Sequence, residues 1–147
     1  MRILIVNGPN LNMLGERDQG FYGSKTLAEI LEDVYNTGTK LGIDVNHVQS
    51  NHEGYIIDFL QRESRSSDGI IINAGALTHY GLALRDSLAD TKLPVVELHL
   101  SNIFARDEFR QHSFIEGIAV GQIAGLGWKG YSYALESLAD YLRSKST

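Results

Sequence analysis

The chain contains no cysteine. That excludes disulfides, thiolate metal ligands and a cysteine nucleophile together. Proline occurs only 2 times and tryptophan 1 time in 147 residues, so the chain has neither proline-rich linkers nor aromatic stacking tracts. No apolar run is long enough to span a bilayer, and Met1-Arg2-Ile3-Leu4-Ile5-Val6 is too short for a secretory leader. No Asn-x-Ser/Thr sequon is present. These absences predict a cytoplasmic protein with no membrane partner. Positive charge is also scarce, with 13 Lys+Arg against 18 Asp+Glu and a formal net charge of -5. Such a balance argues against a nucleic-acid partner, because phosphate neutralisation needs a basic surface. No acidic cluster or paired histidines stand at metal-ligand spacing, and no serine sits in a Gly-x-Ser-x-Gly elbow. No metal is therefore expected, and hydrolysis by a serine triad is set aside.

What is present is an ordinary globular composition, with 43% hydrophobic and 21% charged residues. At this length one domain, residues 1-147, is expected, large enough to bury a core without staples. Short β-branched runs alternate with helical stripes. Ile3 to Val6 reads as a strand buried on both faces. Thr26-Leu27-Ala28-Glu29 matches a capping box that opens a helix to Leu41, ended by Gly42. A strand over Ile43 to Val48, a helix from Glu53 to about Arg65, and a strand over Gly69 to Asn73 follow. Next come a helix from Thr78 to Ala89, strands over Leu93 to His99 and Gly117 to Ile123, and a helix from Tyr131 to Leu142. Strict strand-helix alternation predicts an α/β fold: a flavodoxin-like three-layer sandwich. Its five-stranded parallel sheet has the order 2-1-3-4-5, with helices on both faces.

Ligands of such sheets bind beyond the carboxyl ends of the strands. There the chain places Asn7 to Arg17 and Tyr22-Gly23, then Gln49 to Gly54, then Asn73 to His79, then Glu97 to Asn102 with Arg106 and Arg110. Amides, histidines and arginines converge from four loops. The loop after the first strand is long and carries Arg17 and Tyr22, as a lid with chemistry would. These groups suit proton transfer on an anionic substrate. Tyrosine is a weak base, since with a reference pKa near 10 only about one molecule in a thousand is phenolate at pH 7, a handicap of roughly 4 kcal/mol. A neighbouring guanidinium, here Arg17, offsets part of that. His99 is placed to donate a proton, with Glu97 on the same strand face to hold the imidazole, and Asn10 and Asn73 to steer donors toward an enolate. His47 and His112 read as surface histidines, and His52 as a shaper of the second loop.

The four segments in order resemble the signatures of the type II 3-dehydroquinate dehydratases. Asn7-Gly8-Pro9-Asn10-Leu11-Asn12-Met13-Leu14-Gly15 with Arg17 and Tyr22-Gly23 is similar to the first, and Gln49-Ser50-Asn51-His52-Glu53-Gly54 to the second. Asn73-Ala74-Gly75-Ala76-Leu77-Thr78-His79 with Arg85-Asp86 is similar to the third, and Glu97-Leu98-His99-Leu100-Ser101-Asn102 with Arg106 and Arg110 to the fourth. The resemblance implies a cofactor-free hydro-lyase of the shikimate pathway. It would convert 3-dehydroquinate to 3-dehydroshikimate by anti elimination through an enolate. It implies Tyr22 as proton acceptor, His99 as proton donor, Arg17 as transition-state stabiliser, and supporting roles for Asn10, Glu97 and Arg106. It further implies substrate contacts from Asn73, His79, Leu100, Ser101 and Arg110, and from Asp86 across a subunit boundary in a dodecamer of trimers. Gln19, Tyr80-Gly81, Phe104 and Glu108 depart from the family pattern, and Gln19, where a proline is usual, suggests a more mobile lid.

Two other proteins of this fold class fit poorly. A receiver domain needs an acidic pair where Asn7-Gly8 stands, and a flavodoxin needs a hydroxyl-rich loop where Pro9-Asn10-Leu11-Asn12 stands. Gly125-Leu126-Gly127-Trp128-Lys129-Gly130 matches the dinucleotide fingerprint, but too little chain follows for the βαβ unit and acidic residue that site requires. Those glycines read as a tight turn and close packing.

Overall fold

In the computed structural model, which describes residues 1–146, five parallel strands form one sheet: β1 (Arg2–Asn7), β2 (Asp44–Gln49), β3 (Gly69–Asn73), β4 (Val95–His99) and β5 (Gly121–Ala124). Their order is β2-β1-β3-β4-β5, as the alternation predicts. The side-chain period of two divides β1 between two cores. Ile3 and Ile5 face Ile30 and Val34 of α2 (Leu27–Leu41) and Tyr131, Leu135 and Leu138 of α5 (Gly130–Lys145). Leu4 and Val6 face Ile56, Phe59 and Leu60 of α3 (Glu53–Glu63) and Leu84 and Leu88 of α4 (Leu82–Asp90). A four-residue helix, α1 (Gln19–Tyr22), lies inside the long loop after β1. Each fully buried aliphatic side chain contributes about 1.5–3 kcal/mol, so two cores on one sheet make the layers inseparable.

The expected capping box opens α2. Thr26 Oγ1 accepts from Glu29 N at 3.2 Å, and Glu29 Oε2 accepts from Thr26 N at 2.9 Å. Gly42 closes it with φ 69°. The helix expected from Thr78 does not start there. Gly75–His79 forms a 3-10 turn, Tyr80 and Gly81 interrupt it, and α4 begins at Leu82. There the Thr78 hydroxyl turns inward and donates to Glu97 at 2.5 Å. At the start of α4, Glu53 Oε2 of α3 accepts from Leu84 N at 3.4 Å. The fifth strand is shorter than expected and starts at Gly121.

Gly125 and Gly127 do make a turn, with φ of 89° and 67°, and a Cβ on Gly130 would lie 2.8 Å from Leu98 Cδ1. Close packing of α5 on β4 thus accounts for the glycine motif. Register pairs Asn7 with Asn73 at the carboxyl ends of β1 and β3. There the chain leaves β1 for one side of the sheet and β3 for the other, which opens the crevice.

Candidate active site

The crevice is lined by the loop after β1 (Asn10, Arg17, Tyr22), the turn after β3 (Asn73, His79) and the segment after β4 (His99, Leu100, Ser101, Arg106, Arg110). Its volume is about 620 Å³ including the open mouth. Ten of the twelve residues singled out in the sequence meet there. Glu97 lies behind the wall, fully buried. Asp86 lies elsewhere, on α4, with a side chain 69% exposed and paired to Arg85 at 3.0 Å.

The loop after β1 is folded down by polar contacts. Gly8 N donates to Asn73 O at 2.8 Å, and a Cβ on Gly8 would run into the Ala74 carbonyl, so this approach requires glycine. Asn10 adopts the left-handed conformation with φ 69°, and its N–H donates to Asn51 Oδ1 at 2.9 Å. Asparagine tolerates that conformation better than most residues. The second loop therefore holds the first. Within the lid, Asp18 caps α1 through Gly20 N at 3.0 Å, and the Gln19 amide donates to Gly15 O at 3.1 Å. Gln19 is thus tied into the lid by a hydrogen bond of its own.

Two guanidiniums flank Tyr22, in an arrangement the spacing of the chain does not convey. Arg106 Nη1 donates to the phenol oxygen at 3.0 Å and to Ser101 Oγ at 3.3 Å, while its Cζ packs 4.3 Å from the Phe21 ring centroid. Arg17 stands over the Tyr22 ring face, 4.7 Å from the centroid. Arg106, not Arg17, is the one that touches the oxygen.

His99, 5% exposed, meets Glu97 Oε1 through Nε2 at 2.8 Å. Burial pushes the Glu97 carboxyl up, but hydrogen bonds from His99, Ser113 and Thr78 outweigh it and hold the group below the usual carboxylate range. An ionised carboxylate only accepts, so Nε2 carries the hydrogen and Nδ1 is left for the cleft. His79 Nδ1–H donates to His112 O at 2.7 Å, leaving Nε2 for a ligand. Burial depresses the His79 imidazole; the His112 carbonyl works against this, the charges of His99 and Arg110 work with it, and the balance lies below the ordinary histidine value. Asn73 is committed on two sides, with Oδ1 accepting from Gly75 N at 3.2 Å and Nδ2 donating to the Tyr131 hydroxyl at 3.1 Å. One N–H remains for a ligand.

Several residues of this machinery escape sequence reasoning. Thr78, Ser113 and Gln122 surround Glu97, and Tyr131 joins Asn73 to Asn7. A glutamate inside a fully buried strand does announce that donors must exist, because an unpaired buried carboxylate is prohibitively costly. Nothing in the sequence says which donors. His47, expected at the surface, is half-buried on the edge strand β2 and pushed down to about 4 by burial, with Nε2 unpartnered.

A family profile described as Dehydroquinase class II matches residues 1–139. The chain belongs to this family. A 3-dehydroquinate dehydratase from Roseiflexus castenholzii is 57% identical over 138 residues, covering 94% of this chain and 88% of the relative. One from Halothermothrix orenii is 50% identical over 145 residues, covering 99% and 98%. The crystal structure of a type II dehydroquinase from Butyrivibrio crossotus superimposes with a TM-score of 0.92 at 44% identity, covering 94% of this chain and 97% of that one. Of the residues that depart from the family pattern, Tyr80 and Phe104 are exposed. No helix among the described residues is long and apolar enough to cross a membrane.

Proposed function

We propose that this chain dehydrates 3-dehydroquinate to 3-dehydroshikimate by anti elimination through an enolate. The observation that carries the reading is one cleft lined by an arginine-bonded phenol and a carboxylate-backed imidazole. Tyr22, as phenolate, takes a proton from C2 of the substrate. Arg106 at its oxygen and Arg17 over its ring favour the negative charge. The electron pair moves onto the ketone as an enolate, steadied through a water held near Asn10. His99 then gives its cleft-facing proton to the C1 hydroxyl, which departs as water while the enolate collapses to the conjugated enone. Glu97 keeps the imidazole oriented and balances its positive charge. Asn73, His79, Arg110 and the backbone of Leu100 and Ser101 hold the carboxylate and hydroxyls.

The proposal extends to the assembly. Asp86 is exposed and outside its own cleft, which supports assigning it to the site of a neighbouring copy in a dodecamer of trimers. The enzyme would act in the cytoplasm, in the shikimate pathway, with no metal or cofactor.

Purified protein mixed with 3-dehydroquinate should develop the ultraviolet absorbance of the conjugated enone. Tyr22→Phe should lose nearly all turnover while still binding ligand. Full activity in that variant refutes the assigned base. His99→Ala should slow dehydration yet leave exchange of the C2 proton detectable, and loss of that exchange with normal binding would refute the stepwise scheme.

A further inference from the structure

Glu97 is 0% exposed and sits among four donors from four parts of the chain. Oε1 lies 2.8 Å from His99 Nε2, 2.5 Å from Thr78 Oγ1 and 2.6 Å from Ser113 Oγ, and Oε2 lies 3.1 Å from Gln122 Nε2 of β5. Among the described residues its salt-bridge partner is His99. The hydrogens can be counted. Ser113 Oγ already accepts from Ile115 N at 3.0 Å and Glu116 N at 3.2 Å, which fills both of its lone pairs. Its single hydrogen must therefore point outward. Thr78 Oγ1 is 2.7 Å from Ser113 Oγ but cannot donate to a saturated oxygen, so its hydrogen goes to Glu97. Thr78 and His99 thus fill the two lone pairs of Oε1, and the Ser113 hydrogen is shared between Oε1 and Thr78 Oγ1. A proton added to Oε1 would meet a hydrogen already in place, so the cluster favours the carboxylate over the acid. Phe114 N, donating to Thr78 O at 2.8 Å, locks the two hydroxyl-bearing segments together.

We infer that Thr78 and Ser113 are positioning residues for the acid step, fixing through Glu97 which nitrogen of His99 carries the outgoing proton and how tightly that proton is held. The inference rests on the dehydratase reading for the identity of that step. Hydroxyl hydrogens aimed at Glu97 disperse its negative charge. Removing one concentrates the charge on His99, so the imidazole binds its proton more tightly and becomes a poorer donor. The groups facing His99 are Glu97 on its own strand, His79 after β3, Arg106 and Arg110 after β4, and Arg17 and Tyr22 from the loop after β1. None of them is altered in the variants below, and Gln122 from β5 is uncharged.

The test has two arms. In the first, ¹⁵N-labelled histidine in the unliganded protein is followed by NMR as pH is varied, which needs no turnover. Neutral His99 should carry its hydrogen on Nε2. In Thr78→Val and Ser113→Ala the resonance should titrate about one pH unit higher, the size expected for losing one hydrogen bond to a charge. Thr78→Ser, which keeps the hydroxyl, should titrate with the parent. In the second arm, with 3-dehydroquinate, kcat should fall about tenfold in the two hydroxyl-less variants, with KM within about twofold and the limb of the pH profile moved upward. An Nδ1–H tautomer in the parent, or unshifted titration in folded Thr78→Val and Ser113→Ala, overturns the inference. If one variant fails to fold, the parent tautomer and the other variant still decide. A parent without turnover on 3-dehydroquinate would remove the proposed reaction, and the NMR arm would still judge the positioning role.

Discussion

Replacing Tyr131 by phenylalanine isolates a single buried hydroxyl and lets its worth be worked out. Tyr131 is 0% exposed; its hydroxyl donates to Asn7 Oδ1 at 2.5 Å and accepts from Asn73 Nδ2 at 3.1 Å. Asn7 is 0% exposed and its Nδ2 has no partner, so the variant leaves that side-chain amide without a hydrogen bond. Asn73 loses one of two. Phenylalanine keeps the ring, so no cavity opens and the cost is purely polar. Leaving a buried amide unpaired costs about 1–3 kcal/mol, and the second, partial loss brings the total to about 2–4 kcal/mol. For a chain of this length that corresponds to a melting temperature lower by roughly 6–12 °C. Urea unfolding and thermal melts at one fixed protein concentration measure it, since assembly would make either value concentration-dependent. Substrate binding should weaken too, because Asn73 loses the contact that orients it. A variant within about 0.5 kcal/mol of the parent would show that the hydroxyl is not the tie between β1, β3 and α5 that the geometry describes.

Arg106→Ala should lower kcat about a hundredfold, because fewer molecules carry the phenolate once its hydrogen-bonded charge partner is gone; steady-state rates within threefold of the parent would refute its place at the phenol. Gly8→Ala should destabilise by about 1–3 kcal/mol, because its Cβ overlaps the Ala74 carbonyl; an unchanged urea midpoint would refute that close approach. His47 gives a pH signature. Its folded value of about 4 lies below the ordinary 6.5, so below pH 6.5 the unfolded chain takes up a proton that the folded chain refuses. Stability should therefore fall as pH drops from 6.5 toward 4, and His47→Leu should flatten that slope relative to the parent. Parallel stability curves for the two proteins would refute the burial of this histidine.

Sheet order was legible because Ile3-Leu4-Ile5-Val6 and Ile70-Ile71-Ile72 can only be strands buried on both faces, and the intervening helical stripes demand crossovers. The cleft was legible because strand ends carry the ligand-facing groups of any such sheet, so Tyr22, His79, His99 and Arg106 could be placed on one rim before any contact was known. The Thr78 helix start failed for an instructive reason. The helical stripe reads back to Thr78 in the sequence, but the buried carboxylate of Glu97 claims that hydroxyl, and Glu97 is distant in the chain. Ser113 lies in a segment without periodicity, Gln122 reads as one residue of the fifth strand, and Tyr131 reads as one more apolar residue of a helix. Side chains whose meaning comes from long-range partners leave no local mark.

The two ends of the proposed proton path are built on different foundations. The imidazole grows out of the central sheet and is braced by a buried carboxylate with donors on every side. The phenol rides on one turn of helix with no buried residue, its ring resting against the core and its oxygen held by Arg106 from another loop. Any opening of that turn would carry the proposed base outward while the proposed acid stays put, so substitutions over Gln19 to Phe21 should change the pace of turnover without touching the framework beneath the imidazole.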